Sequence, residues 1–202
     1  RTPYPRPYIP RRHTFEIAER IDAGGAVRTP LDETQAIGVL DTLRARGFEA
    51  VAVALLWATA NPAHELRLAQ LIEQHLPGVP YTLGHALNPI LREYRRASSA
   101  AIDASIKPLM QAHLRDLGAD LRAAGYGGEI LVSTTMGGCL DIDSVVERPI
   151  HTVRSGPAMG PVAGRRYAEL EARTEPALVV DTGGTTFDVS LVRDGHIAIT
   201  QE

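Results

Sequence analysis

The chain has 202 residues, with 21 basic against 24 acidic groups, a net charge of −3, 44% hydrophobic residues and one cysteine. A chain of this length buries roughly 70% of its unfolded surface, enough for one large domain or two small ones without a disulfide or metal staple. Charge near neutrality gives no basic field for nucleic acid, no run approaches the roughly 20 apolar residues of a membrane helix, and a lone Cys139 suits a reducing compartment, so a cytoplasmic location is expected.

The first dozen residues carry Arg1, Arg6, Arg11 and Arg12 among Pro3, Pro5, Pro7 and Pro10, with no acid. Such a segment is extended, and it reads as a linker wrapped over its own domain or as a docking arm for a proline-recognising or acidic partner. From His13 to Ile21 the residues alternate, with Phe15, Ile17 and Ile21 inward, and Asp22-Ala23-Gly24-Gly25 is turn chemistry leading to Ala26–Leu31, so a hairpin is predicted. From Asp32 the period becomes helical: Asp32 and Gln35 resemble a capping box, Ile37, Leu40 and Leu43 form a stripe, and Gly47 stops it. The nearly continuous apolar run Ala50–Trp57 predicts a strand covered on both faces, Asn61-Pro62 starts a helix with Leu66, Ala69, Ile72 and Leu76 in register, and Val79–Leu83 predicts a second parallel strand. Two helices are predicted about 89–106 and 108–124, broken at Pro108, followed by glycines and a strand over Glu129–Thr134. Alternating strands and helices argue an α/β domain with a mostly parallel sheet.

Two Gly-Gly pairs follow apolar runs. In Asp181-Thr182-Gly183-Gly184-Thr185-Thr186-Phe187-Asp188, a strand delivers Asp181 at its end, glycines let backbone N–H groups approach phosphate oxygens, and two hydroxyls can donate to the same oxygens. Asp181 could orient a water or hold a hydrated Mg²⁺. The alternative is a hairpin whose glycines only make the turn. In Met136-Gly137-Gly138-Cys139, the glycines are predicted to lie in a strand-to-helix loop ahead of a helix over 142–147, either a candidate substrate loop or an ordinary turn. Cys139 is expected to be a buried, inert thiol rather than a nucleophile. The seven histidines (13, 64, 75, 85, 113, 151 and 196) show no metal-ligand spacing and read as surface or packing residues, His151 being the one that could face a cleft. Arg92, Arg95 and Arg96 read as a solvated helix face, with bidentate anion binding as the alternative.

The Asp181 stretch resembles the second phosphate hairpin of the actin, sugar-kinase and chaperone ATPase superfamily. Ser155 to Gly164, with Gly156, Gly160 and Gly164 every four residues, resembles the small-residue helix that precedes it, although Pro161 predicts a kink or a late start. With Glu93-Tyr94-Arg95-Arg96-Ala97-Ser98 and the Met136-Gly137-Gly138 loop, the whole chain resembles the hydantoinase/oxoprolinase family, which includes ATP-using subunits of acetone and acetophenone carboxylases. The resemblance implies a partial actin-like α/β fold. It divides the chain into a proline/arginine-rich arm and hairpin (1–31), a first-lobe segment (32–154), and a connecting helix with the phosphate hairpin opening a second lobe (155–202). It implies ATP and Mg²⁺ as cofactors, phosphate contact at Gly183, Gly184, Thr185 and Thr186, and a catalytic role for Asp181 that includes holding Mg²⁺ through water. Asp188 stands at a second carboxylate position read as structural. The implied activity is activation of a carbonyl substrate by phosphoryl transfer, for hydrolysis of a cyclic amide such as hydantoin or 5-oxoproline, or else for ketone carboxylation. A non-enzymatic nucleotide switch and a pure interaction module are readings of a different class. The implied partners are a small-molecule substrate and a hydantoinase B-like subunit in a hetero-oligomer, with no nucleic acid and no membrane. The start at Arg1 without Met, the end at Glu202, and the absence of a first phosphate hairpin or adenosine-contacting segment lead to the expectation of a fragment that does not turn over ATP alone.

Overall fold

The computed structural model describes residues 8–171, 176–184 and 186–198. It divides into two compact units, 1–112 and 113–202, the division falling within one long helix. Among the described residues no helix is long and apolar enough to cross a membrane.

In the first unit Phe15, Ile17 and Ile21 point inward as the alternation predicts, but only Arg20–Ile21 (β1) pairs, antiparallel, with Val27–Thr29 (β2). The turn between them is built on Asp22, whose carboxylate accepts the Gly24 and Ala26 amides, both at 2.9 Å, and pairs with Arg28 at 2.6 Å. The Ala26 amide and the Arg28 guanidinium hold that carboxyl below its ordinary range. Helix α1 (Glu33–Ala45) begins where predicted: Asp32 accepts the Gln35 amide at 2.9 Å. The reciprocal arm of the cap differs, since Gln35 Oε1 takes the Ala18 amide at 2.6 Å and so ties the hairpin to the helix start. Gly47, at φ +66°, closes the helix in the left-handed turn that lacks a Cβ penalty.

Strand β3 (Val51–Val53) and β4 (Tyr81–Leu83) pair in parallel, Val51 opposite Tyr81 and Val53 opposite Leu83, with α2 (Ala63–His75) crossing between them. The apolar run predicted as a strand through Trp57 stops pairing at Val53 because Leu55 to Asn61 form turns that pack inward instead, burying Ala58. Trp57 itself sits at φ +60°. The core is Ala36, Leu40, Leu43, Val53, Leu68, Leu71, Ile72 and Leu76, the helical stripes of α1 and α2 closing on β3. Burial of each large aliphatic side chain stabilises by about 1.5–3 kcal/mol. Tyr81 donates to Glu73 at 2.6 Å, and that bond pushes the phenol up to about 12. Because the folded value lies above the free value of 10.0, this contribution is intact below that pH and is lost as pH rises through about 12. In a 295 nm titration one of the six tyrosines is expected to ionise last, and Glu73→Gln to bring it back toward the others.

After the short α3 (Gly84–Leu87), the two helices predicted on either side of Pro108 are one, α4 (Glu93–Ala123). The proline removes one backbone bond, yet the turn before it is pinned: Asp103 accepts Thr82 Oγ1 at 2.6 Å and Lys107 donates to the Tyr81 carbonyl at 2.6 Å. Arg96 departs from the expected solvated face. It is 1% exposed, donating to the carbonyls of Ile90 at 2.7 Å and Leu55 at 2.8 Å, while Arg92 and Arg95 are exposed.

In the second unit β5 (Leu131–Ser133) pairs antiparallel with β6 (Cys139–Asp141), a strand that the sequence reading omits. Asp141 then caps α5 (Ile142–Glu147), accepting the Ser144 hydroxyl at 2.7 Å and amide at 2.9 Å, which lowers its pKa. Helix α6 (Ser155–Leu170) runs through Pro161. It packs beneath β7 (Ala177–Thr182) and β8 (Phe187–Arg193), an antiparallel hairpin extended by β9 (His196–Ile197). The expected mostly parallel sheet is thus corrected: among the described residues β3 and β4 are the parallel pair and the other pairings are antiparallel.

Candidate phosphate site

Cross-strand pairing sets the faces of the hairpin. Val179 with Ser190 and Asp181 with Asp188 share the side toward α6, whereas Leu178, Val180, Phe187, Val189 and Leu191 lie on the other side and are exposed. The four-residue glycine spacing explains how the hairpin seats. A Cβ at Gly164 would stand 3.0 Å from Val179 Cγ1 and closer still to Cγ2, and one at Gly160 would lie 3.8 Å from Asp181 Oδ2. Gly156 has open space. Gly164→Ala is therefore expected to cost about 1–3 kcal/mol through overpacking, outweighing its gain in helix propensity. Gly156→Ala should be neutral or stabilising, and thermal unfolding distinguishes the two.

Asp181 is exposed near the end of β7, and its carboxylate accepts no hydrogen bond from another described residue. The turn beyond it is partly self-satisfied: the Gly183 amide donates to the Thr186 carbonyl at 3.0 Å, and the Thr186 hydroxyl donates to Asp188 at 2.7 Å. Gly184 is exposed, with nothing within 4 Å of its missing side chain. Thr185 lies outside the described residues. A phosphate group with a hydrated Mg²⁺ fits the donor set here: an open carboxylate for metal-bound water, and the exposed Gly184 backbone beside it. The Thr186 hydroxyl and the Gly183 amide would have to leave their present partners to join.

The Met136-Gly137-Gly138 loop is the tip of the β5–β6 hairpin rather than a strand-to-helix loop. The Gly137 amide donates to the Thr134 carbonyl at 3.0 Å, while the amides of the two residues before the loop, Thr134 and Thr135, donate to the Gly138 carbonyl at 2.8 Å and the His151 carbonyl at 2.7 Å. Gly137, at φ +75°, lies where a Cβ would be 3.1 Å from Val162 Cγ2 and 3.3 Å from the Ala158 carbonyl. Ala158 and Val162 are two residues, or about 200° of helix rotation, from Gly160 and Gly164. The two glycine loops therefore flank α6 on opposite sides and do not form one cradle. Met136 is 83% exposed at the tip. Cys139 is exposed, correcting the expectation of a buried thiol, because the short β6 leaves its residues on an open edge. Among the described residues no group of three or more His, Cys, Asp or Glu is placed to hold a metal.

Sequence reasoning missed a cluster in the first unit. Glu65 is fully buried and accepts three hydrogen bonds, from the Leu55 amide at 2.8 Å, the His85 amide at 3.0 Å and His85 Nδ1 at 2.6 Å. A second buried pair joins His64 Nδ1, next to Glu65 on α2, to Glu19 Oε2 just ahead of β1 at 2.7 Å. No local pattern signals either pair, since each joins residues at least 20 positions apart.

A strand that delivers a carboxylate into a glycine turn, laid on a glycine-faced helix within a mixed helix and sheet chain, is consistent with a partial actin-like ATPase fold. Two solved structures share the fold: a nucleotide-free acetone carboxylase superposes with TM-score 0.86 at 24% identity over 97% of this chain and 28% of its own. The ATP-dependent caprolactamase of Pseudomonas jessenii superposes with TM-score 0.81 at 29% identity over 95% of this chain and 28% of its own.

The chain belongs to the hydantoinase/oxoprolinase family, whose model matches residues 96–202 and whose N-terminal-region model matches 2–76. The acetophenone carboxylase gamma subunit of Aromatoleum aromaticum is 36% identical over 96% of the chain and 27% of its own length, and the caprolactamase alpha subunit of Pseudomonas jessenii is 30% identical over 96% and 28%. The chain thus spans little more than a quarter of the length of these relatives.

Proposed function

We propose that this chain is the phosphate-hairpin segment of an ATP-dependent enzyme subunit that activates a carbonyl substrate by phosphoryl transfer, for hydrolysis of a cyclic amide of the hydantoin or 5-oxoproline type. The observation that carries the reading is the open Asp181 carboxylate at the strand end, beside Gly160 and the exposed Gly184 turn. When bound, ATP with Mg²⁺ supplies the transferable phosphoryl group. Asp181 holds the metal through water and orients the acceptor, Gly184 lends its amide to phosphate oxygen, and Gly183, Thr185 and Thr186 complete the contact once the turn reorganises. Met136, Gly137 and Gly138 are assigned to the substrate side. In this reading residues 1–31, 32–154 and 155–202 are arm, first-lobe segment and opening of the second lobe.

Ketone carboxylation is the second reading, favoured by the 36% identity to an acetophenone carboxylase subunit. Relatives named as alpha, beta and gamma subunits support assembly with a second subunit, which we assign as hydantoinase B-like in a cytoplasmic hetero-oligomer. The deciding experiment supplies the full-length protein and its partner with ATP·Mg²⁺ and, separately, hydantoin, 5-oxoproline, or a ketone with bicarbonate, and measures phosphate release. Acceleration by a cyclic amide supports the first reading, acceleration by the ketone mixture the second, and absence of ATP binding overturns both.

A further inference from the structure

The two faces of the β7–β8 hairpin differ in the opposite sense from a hairpin that meets water. The face laid on α6 carries Asp181, Asp188 and Ser190 beside Val179. The other face carries three cross-strand rungs, Leu178 opposite Leu191, Val180 opposite Val189 and Thr182 opposite Phe187. Its five large apolar side chains are 41–66% exposed. An antiparallel sheet with one solvated face alternates apolar inward with polar outward. Here the face away from the helix is the more apolar of the two, which marks it as a surface made to be covered.

Size and spacing narrow the choice of cover. The five side chains expose on the order of 500 Å² per copy, below the about 800 Å² that each partner of a stable complex buries. A face too small to hold a separate molecule is still held by polypeptide of the same chain, because a covalent tether raises the effective concentration without any new contact. Proteins that share this fold possess such polypeptide: the superposed acetone carboxylase and caprolactamase chains are each matched over 28% of their length. The rungs step by two residues, so three of them span about 13–14 Å. About ten residues of helix cover that distance. With α6 already on one side, a helix on the other completes a layer on each face of the sheet.

We propose that the outer face of β7–β8 is the docking surface for an amphipathic helix contributed by the remainder of the full-length subunit, with an apolar stripe at three- and four-residue spacing seated on Leu178, Val180, Phe187, Val189 and Leu191. The inference goes beyond the nucleotide reading and stands without it. It also bears on the candidate site, since Phe187 begins β8 directly after the glycine turn. A helix seated on Phe187 steadies the strand end from which that turn springs.

Maleimide labelling of a Val189→Cys variant tests it, with the label located by peptide mass spectrometry. In the 202-residue chain the new thiol is expected to react within about tenfold of the exposed Cys139, and in the full-length subunit without its partner at least about 100-fold more slowly. Val192→Cys, at a position 0% exposed, is the folding control and should react slowly in both. If the control reacts fast in the short chain, the full-length result alone decides. A Val189→Cys thiol that stays reactive in the full-length subunit overturns the proposal. So does protection that appears only when the second subunit is added, which makes the occupant a separate chain. Protection already present in the 202-residue chain overturns it as well, the occupant then being a second copy where protection rises with concentration and the first unit where it does not. Photocrosslinking from Val189→benzoylphenylalanine in the full-length subunit should reach one segment of the same polypeptide at positions three or four apart. A spacing of two identifies a strand and overturns the helix.

Discussion

Asp181→Asn in the full-length protein is expected to slow substrate-dependent phosphate release by about 100-fold or more while leaving the fold intact. The size follows from what the group is asked to do. A carboxylate that holds metal-bound water beside a transferring phosphoryl group acts on charge that develops in the transition state, where one preorganised partner is worth about 10²–10³ in rate. The amide keeps the shape and loses the charge. Stability should change by no more than about 0.5 kcal/mol, because Asp181 is exposed and its carboxylate accepts no hydrogen bond from another described residue. Asp188→Asn is the control: its partner is the Thr186 hydroxyl within the turn, so it should alter turn order more than rate. A release rate for Asp181→Asn within fivefold of the parent would remove Asp181 from the mechanism.

Arg96→Met should give the largest loss of stability of any single change considered, about 3–5 kcal/mol in the first unit. The substitution nearly conserves volume, so packing is a minor part of the effect. What it removes is the donor to two carbonyls, that of Ile90 just before α4 and that of Leu55 in the turn after β3. Domain stabilities are about 5–15 kcal/mol, so a loss of this size shifts the denaturation midpoint far enough to be read directly. Arg95→Met, one residue away and exposed, should shift it little. Equal effects at the two positions would show that Arg96 is not the clamp described.

These two residues also mark how far the amino-acid order could be read. The Asp181 hairpin was legible because everything that defines it is local: alternating apolar residues, a carboxylate at the strand end, and glycines that bend the chain. The seat of α6 was legible in the same way, from glycines at four-residue spacing, although which of them touches the hairpin was not. Gly164 does so closely, and Gly156 not at all. Arg96 stands between Arg95 and Ala97 on a helix and looks like any solvated charge. Its burial depends on two carbonyls, one of them 41 residues away. Glu65 and His85 are equally silent, since neither has a recognisable neighbour in sequence. Three-residue β6 escaped because a strand that short carries no periodic signal, and its omission turned a hairpin tip into a strand-to-helix loop. Pro108 misled in the opposite direction: a local breaker was outvoted by Asp103 and Lys107, whose partners lie on β4.

The strained turn after β3 has one more consequence. Trp57 is the chain's one tryptophan, and it belongs to the first of the two compact units. Emission excited at 295 nm therefore reports on one unit alone, whereas far-ultraviolet circular dichroism sums over both. Comparing the two signals during denaturation turns a backbone oddity into an optical label, able to say whether the first unit and the unit that carries the β7–β8 hairpin melt as one cooperative body or as two.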